Sequence, residues 1–177
     1  MQLTSPAFGP NGSIPAKYTC DGAGVSPPLQ ISGVPAGSRS LALIAYDPDV
    51  PKSIKADGRY THWVLWNLPP GTTAIEEHHS GGISENGQAG YLRPCPPNGE
   101  HRYIFQLFAL DRNVDAKILL ESDLRRAMQG HVVEQTALVG RYASRASSTL
   151  NLVIAGIVGV ALIALAWKVI SNRRSAT

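Results

Sequence analysis

Residues 93–110 read RPCPPNGEHRYIFQLFAL, and this stretch decides the fold. Pro94, Pro96 and Pro97 fix φ and remove backbone donors, so the chain is stiff before it enters a strand. The strand that follows alternates cleanly. Tyr103, Phe105, Leu107 and Ala109 share one face, while Ile104, Gln106, Phe108 and Leu110 share the other. Gln106 is the one polar residue among these eight, so both faces are expected to be covered, as in a central strand. His101 and Tyr103 open the strand with groups able to donate to an anion.

Two upstream segments have the same character. Ser40–Tyr46 (SLALIAY) is an apolar run of strand length, stopped by Asp47 in the turn-forming stretch Asp47-Pro48-Asp49-Val50-Pro51. His62–Leu68 (HWVLWNL) is a second strand, closed by Pro69-Pro70-Gly71. Each places polar groups at the end of an apolar run, and the three ends are expected to meet.

The remaining soluble part is rich in turns. Residues 5–38 carry Gly, Pro, Ser and Asp with a short strand at Gln30-Ile31-Ser32, and residues 71–100 form a long loop of the kind that usually carries function. Within it, Glu76-Glu77-His78-His79 is read as a solvated loop, because adjacent residues do not converge on one ion. A helix is expected after Ser122 as N-cap, with Asp123 in its first turn and Gly130 as its stop. Leu124, Ala127 and Met128 would form its apolar side. VVEQTALVGRY (132–142) reads as a last strand.

The charge balance divides the chain. Of 16 Lys+Arg against 13 Asp+Glu, Lys168, Arg173 and Arg174 supply the whole excess of +3, leaving residues 1–145 formally neutral. The basic pI of about 9.0 therefore describes the tail and does not indicate a nucleic-acid partner. Residues 146–167 are uncharged, and at about 1.5 Å per residue they reach across the ~30 Å core of a bilayer. Trp167 and Lys168 stand where interfacial anchors belong. A buried helix of a soluble protein is the alternative, set against a run that is apolar on every face.

The expected organisation is a β domain over 1–143, a linker over 144–149, a transmembrane helix over 150–170 and a basic tail over 171–177. The N-terminus has neither a basic nor an apolar leader region. The expected localisation is thus a membrane, single-pass, with the domain on the cytoplasmic side. Cys20 and Cys95 would there default to free thiols, although both lie in turn-rich segments that could come together.

From the residues alone, Asp47, His62 and His101 are the candidate chemistry. A carboxylate holds an imidazole in one tautomer, and two imidazoles with a tyrosine hydroxyl can serve an anion site, acid–base chemistry or a metal. No nucleophile elbow, HExxH or Gly-rich phosphate loop is present.

The ordered set SPAF, YTCDG, SPPL, DPDVP, THW, PCPPNGEHRYIF and GHVV, spanning roughly Ser5 to Tyr142, resembles the phosphatidylethanolamine-binding protein family, and within it the bacterial Raf kinase inhibitor-like branch. The resemblance implies a mainly β fold of two packed, largely antiparallel sheets with a peripheral helix, and a small anion pocket at one end. Carried over, the pocket would use Asp47, His62, Pro96, His101 and Tyr103, with Arg93 and Trp63 at its rim and no catalytic residue, metal or cofactor. Leu92-Arg93 departs from the glycines usual before PCPP, and DPDVP from the commoner DPDAP. The implied partners are a phosphate-like or carboxylate ligand and a kinase or protease subject to inhibition, and the C-terminal span, which departs from the family, adds a lipid bilayer. A small hydrolase or lyase using the same residues, and an inhibitor acting through its surface, are the alternatives.

Overall fold

The structure is a computed structural model that describes residues 1–115 and 117–145. Its seven strands are β1 (Gln2–Thr4), β2 (Leu29–Ser32), β3 (Ser40–Asp47), β4 (Tyr60–Leu68), β5 (Ala74–Ile75), β6 (Glu100–Leu110) and β7 (Val132–Ala143), with one α-helix, α1 (Glu121–Ala127), before β7. They form a three-stranded sheet in the order β1-β2-β5 and a four-stranded sheet in the order β4-β3-β6-β7, antiparallel throughout. The expectation of a mainly β fold with two antiparallel sheets and a helix is met.

Strand alternation builds the two sides of the larger sheet. Leu41, Leu43, Ala45, Trp63, Leu65, Tyr103, Phe105 and Leu107 meet Leu3, Leu29, Ile31 and Ile75 of the small sheet in the main core. Ala42, Ile44, Val64, Phe108 and Leu110 form a second core on the other face with Val114, Ile118, Leu124 and Met128. β6 is buried along the face of Tyr103, Phe105, Leu107 and Ala109, while on the other face Phe108 and Leu110 are buried and Ile104 and Gln106 only half-buried. The covering expected of both faces is therefore complete at one end alone. Truncating Phe105 to alanine would cost about 3–5 kcal/mol.

The loop after β5 folds back on the sheet. Val64 and Ile83 exchange backbone hydrogen bonds of 2.7 and 3.1 Å, extending β4 at its free edge. Gly82 makes this approach possible. Its φ is +90°, and a Cβ there would lie 2.4 Å from the Val64 carbonyl oxygen.

Four expectations are corrected. The helix is preceded by Leu120 as N-cap, not Ser122, and Asp123 accepts from the Leu119 and Leu120 amides at 3.1 and 3.0 Å. One carboxylate thus serves two donors before the first turn, which a serine hydroxyl inside it cannot. Cys20 and Cys95 are joined in a disulfide with Cα atoms 5.3 Å apart, so they are not free thiols. The C-terminal transmembrane helix is not supported: among the described residues no helix is long and apolar enough to cross a membrane. The segment read as the span, 150–170, and the tail lie outside the described residues. The single-pass, membrane localisation with a cytoplasmic domain falls with that helix.

Candidate functional site

The ends of β3, β4 and β6 meet, and each is aimed by a local feature. Asp47 ends β3, and its Oδ1 accepts the Asp49 amide at 2.7 Å, closing the DPD turn. Its Oδ2 lies 2.7 Å from His101 Nδ1 at the start of β6, with both side chains only 4% exposed. Both carboxylate oxygens are therefore engaged from within, and Asp47 orients the imidazole.

His62 is placed by a β-bulge. The β3–β4 register jumps between Ala45↔Trp63 and Tyr46↔Thr61, so His62 is the extra residue. Thr61 reaches the helix side, where its hydroxyl donates to Glu121 at 2.6 Å. His62 and Trp63 both turn to the opposite side, His62 into a cleft and Trp63 into the main core. Regular alternation would have put His62 on the helix face.

The His62 Nδ1 hydrogen bonds to the Leu92 carbonyl at 2.7 Å, which makes Nδ1 the donor and leaves Nε2 without a partner among the described residues. His101 Nε2 is likewise unpartnered among them. Burial pushes His62 below the ordinary imidazole range, against the opposing pull of the Leu92 carbonyl and the Asp47 charge. His62 is thus neutral near pH 7.

The cleft has a volume of about 390 Å³. Asp47, Tyr60 and His62 line its floor, and Arg93, Cys95, Pro96 and Pro97 come from the proline loop. Val50, Ile54 and Leu92 add an apolar side. Arg93 is exposed and makes no ion pair among the described residues, so it contributes an uncompensated positive charge at the mouth.

Two further residues expected in the pocket are in direct contact with its lining. His101 and Tyr103 are buried, His101 against Asp47 and Tyr103 against His62 of the cleft lining. Tyr103 packs edge-on to His62 with ring centroids 5.1 Å apart. Its hydroxyl is buried with no hydrogen-bond partner among the described residues. Burial first, then the nearby Asp47 charge, pushes its ionisation far above the usual tyrosine range. Asp47 acts on the hydroxyl through its charge and as a marginal acceptor, outside ordinary hydrogen-bond geometry.

Trp63 is not at the rim. It is fully buried, and its Nε1 donates to the Gly81 carbonyl at 2.9 Å. The acidic and histidine run of the long loop is likewise structural in part: Glu77 accepts from Tyr18 at 2.8 Å, and the His79 ring packs on Trp63.

The sequence reading missed two supports. Asp49 accepts from Arg102 Nε at 2.8 Å, from Nη2 at 2.6 Å and from the Arg102 amide at 2.9 Å, tying the DPD turn to β6. The Arg102 guanidinium holds the Asp49 carboxyl below its ordinary range. The second support is the Cys20–Cys95 disulfide, whose two residues line the cleft. Nothing in the spacing of these residues signals either pairing.

A larger cavity of about 570 Å³ lies on the helix side of β4, but its charges are matched. Glu121 accepts from Arg59, Arg125 and Thr61, each at 2.6 Å. Lys55 meets Glu85 at 2.8 Å.

Comparison with known proteins agrees with this architecture. The family model described as phosphatidylethanolamine-binding protein matches residues 4–143. The chain belongs to the phosphatidylethanolamine-binding protein family. A UPF0098 protein of Chlamydia pneumoniae is 46% identical over 147 residues, covering 80% of this chain and 98% of the relative. A UPF0098 protein of Methanothermobacter thermautotrophicus is 43% identical over 153 residues, with the same coverage. Among solved structures, the phosphatidylethanolamine-binding protein homologue CT736 from Chlamydia trachomatis superposes with a TM-score of 0.77 at 40% identity, over 81% of this chain and 97% of that one. Escherichia coli YbcL shares the fold, with a TM-score of 0.69 at 24% identity over 81% of this chain and 98% of that one.

Proposed function

We propose that this member of the phosphatidylethanolamine-binding protein family is a binding module whose strand-end cleft takes a phosphate-like or carboxylate group without turning it over. The observation that carries this reading is the pair of imidazoles fixed from inside. His62 Nδ1 is held by the Leu92 carbonyl and His101 Nδ1 by Asp47, at 2.7 Å each, so their Nε2 atoms are the groups left for a ligand. Protonation of a neutral imidazole converts its Nε2 from acceptor to donor, and a bound anion favours that change. Arg93 at the mouth adds charge, and the proline wall is ordered before the ligand arrives, which lowers the cost of binding.

The hydrolase alternative needs a nucleophile or an activated water. Among the described residues lining the cleft there is no serine or threonine, and both cysteines are disulfide-bonded. This supports binding over covalent catalysis.

The test is calorimetric titration of the full chain with inorganic phosphate and phosphorylethanolamine, alongside His62→Ala and His101→Ala. Saturable binding, weakened about tenfold or more by each substitution in a folded protein, is expected. Wild-type affinity in both variants would remove the imidazoles from the site, and turnover of a phosphate ester lost in both would favour the enzyme.

A further inference from the structure

We propose that the Cys20–Cys95 disulfide is a thiol-exchange site, and that its reduction loosens the proline wall of the cleft. Both half-cystines line the cleft; Cys95 is exposed and Cys20 half-buried, so an incoming thiolate has access to sulfur at the cleft mouth. The bond joins the turn at 19–22 to the middle of the loop at 94–97, across a sequence separation of 75 residues.

Besides the packing of buried Pro94 and Pro96, the loop has few polar attachments. Pro94, Pro96 and Pro97 have no amide hydrogen to donate. The Pro94 carbonyl accepts from the Cys20 amide at 3.0 Å, so this bond hangs on the same turn as the disulfide. The Pro96 carbonyl accepts from Ser144 Oγ at 3.0 Å.

The partner turn, by contrast, is anchored independently. Asp21 accepts from the Tyr142 hydroxyl and, at 2.8 Å, from the Arg145 amide, and Thr19 Oγ1 donates to the Ala16 carbonyl at 3.0 Å. Breaking the cross-link therefore leaves the 19–22 turn in place and loosens the loop about Cys95. The loop begins at Leu92, whose carbonyl fixes His62 Nδ1 and whose amide donates to the His62 carbonyl at 2.8 Å. Release of Cys95 thus acts three residues from the group that sets the His62 tautomer.

The exchange balances with a dithiol as reductant. One of its thiolates attacks Cys95 Sγ and expels Cys20 as thiolate, forming a mixed disulfide. Its second thiol attacks its own sulfur in that bond and releases Cys95. Two electrons pass to the protein, each cysteine ends with one proton, and the dithiol becomes a cyclic disulfide.

The consequence for ligand affinity rests on the binding reading given above, so the experiment has one readout that does not. The oxidised full chain, the chain reduced with dithiothreitol, and Cys20→Ser/Cys95→Ser are compared by amide hydrogen exchange and by titration with inorganic phosphate. Two thiols are expected to titrate after reduction. The Cys20 and Leu92 amides are then expected to exchange at least tenfold faster, beyond any acceleration at Leu43 and Phe105 in the core. Phosphate affinity is expected to fall about tenfold and to return on reoxidation, with the double variant matching the reduced chain.

Equal acceleration of loop and core would show global destabilisation and overturn the proposal. Unchanged exchange at Cys20 and Leu92 in the fully reduced chain, or a disulfide that dithiothreitol reduces only on unfolding, would also overturn it. If the oxidised chain binds no phosphate, the binding reading fails on its own, and the exchange rates still decide whether the disulfide holds the wall.

Discussion

Tyr103→Phe should make this protein more stable. The Tyr103 residue is 2% exposed, and its hydroxyl has no hydrogen-bond partner among the described residues. In the unfolded chain that hydroxyl is hydrated, and on folding it gains only a marginal contact with Asp47. An unsatisfied buried polar group of this kind costs about 1–3 kcal/mol. Phenylalanine keeps the ring, its packing in the main core and its edge contact with His62 at 5.1 Å, so no cavity offsets the gain. For a domain of this size, 1 kcal/mol moves the melting temperature by about 2–4 °C, and an increase of several degrees is expected. The assay is a pair of thermal melts and urea titrations at pH 7.5 without ligand. A melting temperature lowered by several degrees would refute the reasoning, because it would mean that the hydroxyl has a partner worth more than its desolvation.

Further outcomes follow from the charges on either side of β4. Burial depresses His62, so between its folded value and the unfolded value of about 6.5 the unfolded chain binds more protons. The His62 contribution to stability is therefore full above about pH 6.5 and is lost as pH falls below it; urea midpoints at pH 7.5, 6.5 and 5.5 should show this slope, flattened in His62→Gln. Because a bound anion favours protonated His62, phosphate affinity corrected for phosphate's own ionisation should rise between pH 7.5 and 6, measured by calorimetry in two buffers that differ in ionisation enthalpy. Burial raises the Glu121 carboxyl, but hydrogen bonds from Thr61, Arg59 and Arg125 outweigh it and hold the group below its usual range. That contribution is present above the unfolded carboxylate range of about 4.3 and is lost as pH falls through it. Glu121→Gln should cost about 2–3 kcal/mol by urea denaturation, less than for a fully buried pair because Arg59 and Arg125 are 30% and 38% exposed.

The large sheet was legible because its strands are long and their patterns unambiguous. Residues 103–110 alternate between two apolar faces, and Ser40–Tyr46 is continuous, which places β6 and β3 in the interior of the sheet. Of Leu29–Ser32 only the last three residues show in the sequence, and β1 and β5, of three and two residues, leave no signal there. Elements that short owe their existence to pairing with β2, and no local periodicity announces them. The meeting of Asp47 with His101 was legible through the strand ends they close. The bulge at His62 was not, because it is a property of the β3–β4 register, which a single strand does not encode. Trp63 was misplaced for the same reason: beside a bulge, adjacent residues share a face. Arg102 reads as an exposed strand residue, and its grip on Asp49 emerges only once the DPD turn and β6 are adjacent.

The central claim is tested most directly by titrating the full chain with inorganic phosphate while following the ring signals of its five histidines by NMR. His62, which lines the cleft, and His101, whose Nδ1 meets Asp47 of that lining, should shift saturably, while His78, His79 and His131, which neither line the cleft nor bond to its lining, serve as internal controls and stay still. No movement of His62 or His101 at millimolar phosphate, or equal movement of all five, would contradict the assignment of the strand-end cleft as an anion-binding site.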